Sequence, residues 1–150
     1  MVSDWTMIVA AVALFVSLFL VWSHQLSAST IARYGATGTF DGVPRSPDGW
    51  QVYSTADVLL TLLAAGLVVA AVWGSRSLRL VLVGAVAVAL AFVVHAVMTP
   101  PTNGATVFDV GTGRYAATGA SSGAGEWMAI VALALAAAAL LLSLSADSYE

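Results

Sequence analysis

The chain contains no cysteine and no lysine, and only 9% of its 150 residues are charged. Each absence closes a class of chemistry. Without cysteine there is no disulfide framework, no thiolate nucleophile and no cysteine-ligated zinc. Five arginines against eight acids leave a net charge of −3, so the clustered basic face that nucleic acid demands is missing. The sequence holds no His-Glu-x-x-His pair, no Gly-rich phosphate loop and no Gly-x-Ser-x-Gly elbow. Its two histidines, His24 and His95, have no paired base at a telling spacing. No catalytic site, metal or cofactor is expected from these residues, and no nucleic-acid partner.

What fills the chain is apolar. Hydrophobic residues make up 60% of it and the mean hydropathy is +0.93, far from a soluble domain in which about a quarter of residues are charged. Crossing a ~30 Å hydrocarbon core takes about 20 apolar residues in a helix. Four segments qualify: Thr6–Trp22, Ala56–Trp73, Leu78–Met98 and Trp127–Leu144. Each must be helical, because lipid offers the backbone N–H and C=O groups no partner. The first segment reads as a retained anchor rather than a signal peptide, since it lacks a basic leading region and its apolar run is long. The expected fold is an all-α transmembrane four-helix bundle, a single integral membrane domain over residues 1–150.

Orientation follows from the short link "GSRSLR", Gly74–Arg79, which concentrates Arg76 and Arg79. Short basic loops stay cytoplasmic. Both termini are then inside, and residues 23–55 and 99–125 form outer loops. Trp5 and Trp73 would mark the inner interface, and Trp22, Trp50 and Trp127 the outer one. The lysine-free, Ala/Val/Gly/Arg-rich makeup suits a high-GC bacterial genome, so a bacterial plasma membrane is the expected location.

Helix packing in lipid depends on small residues that let backbones approach. Gly66, Ala70 and Gly74 recur at four-residue spacing on the second span, and Ala87 and Ala91 share a face of the third with His95. The fourth span contains "ALALAAAAL", so tight contacts among spans two, three and four are expected.

Two stretches, "RYGATG" at Arg33–Gly38 and "RYAATG" at Arg114–Gly119, differ at one position and lie 81 positions apart. Each sits at a β-prone turn. "TVFDV-GTG-RYAAT" predicts strands over Thr106–Val110 and Arg114–Thr118, and "TIARY-GATG-TF" predicts strands over Thr30–Tyr34 and Thr39–Phe40. Together the two long outer loops would build a small extracellular β-hairpin cap. Pro44, Pro47, Pro100 and Pro101 mark segments that cannot join it as central strands. The similarity is consistent with a duplicated hairpin or with coincidence in small-residue loops, and reads as matching pieces of one cap rather than two copies of an active site.

Candidate functional residues are few. His95 is an ionisable group inside an apolar span, which makes it a functional candidate by default. Asp57 and Glu126 open the second and fourth spans. They read first as helix-start residues, Asp57 closing a capping box with Ser54 and both lying against the positive end of a helix dipole. A second reading brings His95, Asp57 and Glu126 together as a polar cluster at the outer interface. Arg33 and Arg114 are candidate anion or headgroup contacts, with pairing to Asp41, Asp48 or Asp109 as the alternative.

The stretch "DGWQVYSTADVLLTLLAAGLVVAAV", Asp48–Val72, resembles small four-span integral membrane proteins of actinobacteria, as do "TPP" at Thr99–Pro101 and "GEWMAIVALALAAA" at Gly125–Ala138. The resemblance implies location and topology and no activity. The function expected is association, with lipid bilayer around the chain and either further copies or other membrane subunits as partners. The alternative is a small oligomeric channel or transporter with an outer His/carboxylate vestibule.

Overall fold

The computed structural model describes residues 2–24, 47–100, 106–109, 112–117 and 120–146. In chain order these form α1 (Val2–Ser17), β1 (Ser23–His24), α2 (Gly49–Val52), α3 (Ser54–Trp73), α4 (Arg76–Met98), β2 (Thr106–Asp109), β3 (Arg114–Ala117), β4 (Ser121–Ser122) and α5 (Ala124–Ala146). Three helices, α3, α4 and α5, are long and apolar enough to cross a membrane, and α1 is a shorter apolar helix. The predicted spans therefore appear with their ends shifted by a few residues, except the first.

That first span was expected to continue to Trp22. Instead α1 stops at Ser17, because its last carbonyls find other donors. Leu18, Phe19 and Leu20 N–H donate to Phe15, Val16 and Ser17 C=O in a tightening turn. The Ser17 hydroxyl donates to Leu14 C=O at 2.6 Å, and the Trp22 indole N–H folds back onto Ser17 C=O at 2.7 Å. A helix end must satisfy its orphan carbonyls somewhere, and here the chain does so within five residues.

The helices do not pack as small-residue spacing alone predicts. The short α1 is central: its contacts with α5 are the most extensive, followed by those with α3, and α4 leans mainly on α5. A row of Met7, Ala10, Ala11, Leu14 and Ser17 on α1 is buried, as are Ala129, Ala132, Leu133, Ala136, Ala139, Leu140 and Ser143 on α5. Both rows advance by three and four residues, the spacing of a helix–helix seam. Alanines across the seam let the backbones approach. At the end that carries the chain termini, the Arg79 guanidinium of α4 reaches Asp4 of α1 at 4.0 Å.

By contrast, α3 and α4 pack less extensively than α1 does with α5 or α3, or α4 with α5, although only Gly74 and Ser75 separate them. The stripe expected on α3 is split in three. Ala70 is fully buried. Gly66 is half-buried with Leu82 of α4 close to its α-carbon, a substituent there lying 3.1 Å from Leu82 Cδ2. Gly74 ends the helix instead of packing, its N–H donating to Ala70 C=O. Ala87 and Ala91 do share a face with His95, but that face is exposed. The expectation of tight packing there is corrected: α4 buries only Leu82, Val86, Val93 and Ala96, on the opposite side.

At the other end of the bundle, the predicted second-loop hairpin is present. β2 and β3 pair antiparallel, Thr106 opposite Ala117 and Asp109 opposite Arg114, around a turn in which Gly113 takes φ +63°. The expected strands Thr30–Tyr34 and Thr39–Phe40 lie outside the described residues, as do Arg33, Asp41, Pro44, Pro101 and the first hexapeptide. The roots of the two loops are joined in a way the sequence did not announce. β1 pairs antiparallel with β4, Ser23 opposite Ser122, and Val21 bridges to Asp48.

Candidate functional site

Most of the buried polarity gathers at this loop end, around Trp22. Backbone donors converge on the turn that follows α1: Gly49 N–H on Leu18 C=O at 3.1 Å, Gly123 N–H on Trp22 C=O and Gly125 N–H on Val21 C=O, both at 2.8 Å. Trp22 itself is fully buried. The interfacial role expected of it is therefore corrected, while Trp5, Trp73 and Trp127 are largely exposed. An indole fits here because its N–H has an acceptor and because two glycines make room. A β-carbon on Gly125 would meet Trp22 Cδ1 and lie 2.8 Å from Ser17 C=O. One on Gly49 would lie 3.2 Å from both Trp22 Nε1 and Asp57 Oδ1. Tyr53 stacks edge-on against Trp22, with centroids 6.1 Å apart, and against Phe92 of α4 at 5.3 Å.

Asp57 and Glu126 both enter this region. Each is fully buried, and none of their four carboxylate oxygens has a hydrogen-bond partner among the described residues. The capping box expected of Asp57 is not formed. α2 runs into α3 with only Tyr53 between them, so the helix begins at Ser54 with Tyr53 as its N-cap and no side-chain cap bond. The Asp57 side chain turns instead toward Gly49. Capping falls to residues that were not singled out for it: Asp48 Oδ1 accepts from Gln51 N–H at 3.1 Å, opening α2, and Ser75 Oγ accepts from Leu78 N–H at 3.3 Å, opening α4. Burial pushes the Tyr53 phenol above its usual range, and the negative charge of Glu126 adds to the rise.

His95 does not join the two acids. It is exposed on α4, its Nε2 lies 3.3 Å from the Thr99 hydroxyl, and that hydroxyl donates to His95 C=O at 2.8 Å. Among the described residues, no three His, Cys, Asp or Glu side chains are grouped so as to hold a metal ion. Arg114 is exposed at the start of β3, facing Asp109 in the strand register, whereas Asp48 is engaged at the start of α2. Arg33 lies outside the described residues.

Sequence reasoning missed Trp22 and Gly125 as the centre of this junction. The available signal was "GAGE", where Gly125 lies inside the first turn of a helix, a position that capping does not require of glycine. Compared with known protein families, characterised proteins and solved structures, the chain matches none.

A different feature lies on the flank of the bundle. Between α3 and α4 runs an apolar groove of about 770 Å³, lined on one wall by Ala56, Leu59 and Leu63 and on the other by Ala85, Val88 and Phe92.

Proposed function

We propose that the chain is a non-catalytic, multi-pass protein of a bacterial plasma membrane that acts by association. It is either an accessory subunit of a membrane complex or a self-assembling structural protein. In this reading α1, α3, α4 and α5 form a transmembrane bundle, the β2–β3 hairpin faces outward, and Arg76 and Arg79 hold the α3–α4 link and both termini in the cytoplasm.

The observation that carries it is the outer face of α4. Gly84, Ala87 and Ala91 are exposed there at three- and four-residue spacing, on a helix whose own bundle covers only the opposite side. His95 continues the same row. Ionisable side chains within spans normally face protein or a water-filled cavity, and small residues normally mark a helix–helix contact. Both habits are met when a neighbouring transmembrane helix packs on this face. The channel or transporter reading needs His95, Asp57 and Glu126 at one vestibule, and the positions of the three side chains offer it no support.

The absence of cysteine makes the test clean. Ala87→Cys and Ala91→Cys, each introduced alone and oxidised in native membranes, are expected to give a species of twice the chain's mass if the partner is another copy. A thiol-directed photo-cross-linker would give a species of different mass if the partner is another subunit. Val131→Cys, on an exposed flank of α5, serves as the control. If Ala87→Cys and Ala91→Cys stay monomeric with both reagents, the association reading fails.

A further inference from the structure

The two buried carboxylates at the loop end lack the donors that a helix start ordinarily supplies. The first N–H groups of a helix have no partner within it, and an acid in the first turn commonly accepts from them. Glu126 is the third residue of α5. The Gly123 N–H lies beside its carboxylate, but the hydrogen bond goes to Trp22 C=O, and that of Gly125 goes to Val21 C=O. At the start of α3, Tyr53 and Asp57 N–H donate to Gly49 and Tyr53 C=O at 2.8 and 2.9 Å. Gly49, the residue that Asp57 Oδ1 approaches, gives its own N–H to Leu18 C=O. The bonds that tie the chain after α1 to α2 and α5 are thus made with donors that stand beside the two acids.

Among the described residues no arginine takes the place of those donors. Arg76 and Arg79 lie at the start of α4, at the other end of the bundle, and Arg114 is exposed on β3. The other ionisable groups on the packed elements are Asp48, Tyr53, His24 and His95. Asp48 opens α2 and repels the charge of Asp57. Tyr53 joins α2 to α3, His24 sits on β1 opposite Ser121, and His95 is exposed on α4. A carboxylate buried with neither donor nor counter-ion is costly as an anion and far less so with a proton on it.

We infer that Asp57 and Glu126 make this junction a proton-operated latch, closed when both carboxyls are protonated and released when they ionise. In the closed form the Gly49, Gly123 and Gly125 N–H groups hold the Leu18, Trp22 and Val21 carbonyls. On ionisation the same N–H groups are better matched to carboxylates than to neutral carbonyls, and Trp22 loses its cover. The closed form binds more protons than the released one, so raising the pH favours release. This response goes beyond the association reading and needs neither the α4 contact nor a particular orientation in the membrane.

The full chain in detergent micelles, carrying Trp5→Phe, Trp50→Phe, Trp73→Phe and Trp127→Phe, reports on Trp22 alone. Its emission is followed from about pH 4 to about pH 9, a span that covers ordinary and buried carboxylates. As the pH rises, emission should move reversibly to longer wavelength and acrylamide quenching should increase. Asp57→Asn combined with Glu126→Gln should hold Trp22 in its low-pH state throughout, and each substitution alone should remove part of the shift. His24→Gln, His95→Gln and Tyr53→Phe should leave the shift in place. A flat profile in the parent overturns the inference. So does an undiminished shift in the neutralised proteins, or its loss in the histidine or Tyr53 variants. Loss of helical circular dichroism over the same range overturns it as well, since the change would then be global unfolding. The parent and the single substitutions decide the matter even if the double one misfolds.

Discussion

Two seams in this molecule are built from the same small residues and come out differently. Along α1 and α5, Ala10, Ala11, Ala129, Ala132, Ala136 and Ala139 are buried and the helices lie close. Along α3 and α4, Gly84 and Ala85 are exposed and a groove stands open. The difference is set by what each row faces. On α1 and α5 the alanines alternate with Leu14, Leu133 and Leu140, which fill the remaining space from both sides. On α4 two of the large apolar residues that reach the core, Val86 and Val93, lie away from the groove, and Leu82 closes only its end beside Gly66. Small residues permit close approach, but bulky neighbours on the same face decide where it happens.

The sharpest way to break this comparison is to enlarge one alanine on each seam. Ala136→Leu puts three extra carbons into a fully buried position and should destabilise the fold by about 3 kcal/mol, through overpacking with little room to relax. Ala85→Leu, exposed beside the α3–α4 groove, should change the stability of the isolated chain by no more than about 0.5 kcal/mol. Unfolding by SDS in mixed micelles, followed by helical circular dichroism, measures both. Equal losses would mean that the α1–α5 seam is not the tight one.

A smaller effect is expected at the loop end. Gly125→Ala sets a methyl group against the Trp22 ring and Ser17 C=O, and should cost about 2 kcal/mol as the indole is displaced. Trp22 is buried, so its displacement should also shift the tryptophan emission to longer wavelength. Unchanged emission and stability would show that the indole does not anchor this junction.

The least effect is expected from neutralising the buried acids. Asp57→Asn and Glu126→Gln keep the shape of each side chain and remove a charge whose burial is costly without a partner. With no bonded partner among the described residues, each should be tolerated within about 1 kcal/mol, or stabilise. A loss of several kcal/mol in the same SDS titration would reveal a cationic partner for that carboxylate.

The four apolar helices and most of their boundaries were legible in the sequence, because a sustained apolar run of about 20 residues is a strong local signal, whereas the short α2 was not. The hairpin was legible as well, since Gly113 and the β-prone runs around it are local signals. Three things were hidden. The end of α1 depends on Trp22 and Gly49, which meet only in the folded chain. The order of packing depends on which faces match, and helices apolar all round carry no moment to read. Asp57 fitted a capping pattern in sequence, but the pattern assumed a free helix start, and α2 leaves none.

If the bundle sits in a bilayer as proposed, the shortness of α1 has a consequence for the lipid around it. Its 16 residues rise ~24 Å, against a hydrocarbon thickness of ~30 Å. The helix at the centre of the bundle is thus about 6 Å short of its solvent, while the 23-residue α4 and α5 match or exceed it. In the proposed membrane placement, lipid beside α1 would thin, or headgroups and water would dip toward Ser17. The chain would then sit more easily where the membrane is already thin, and its position among membranes of different thickness would follow from one helix that stops early.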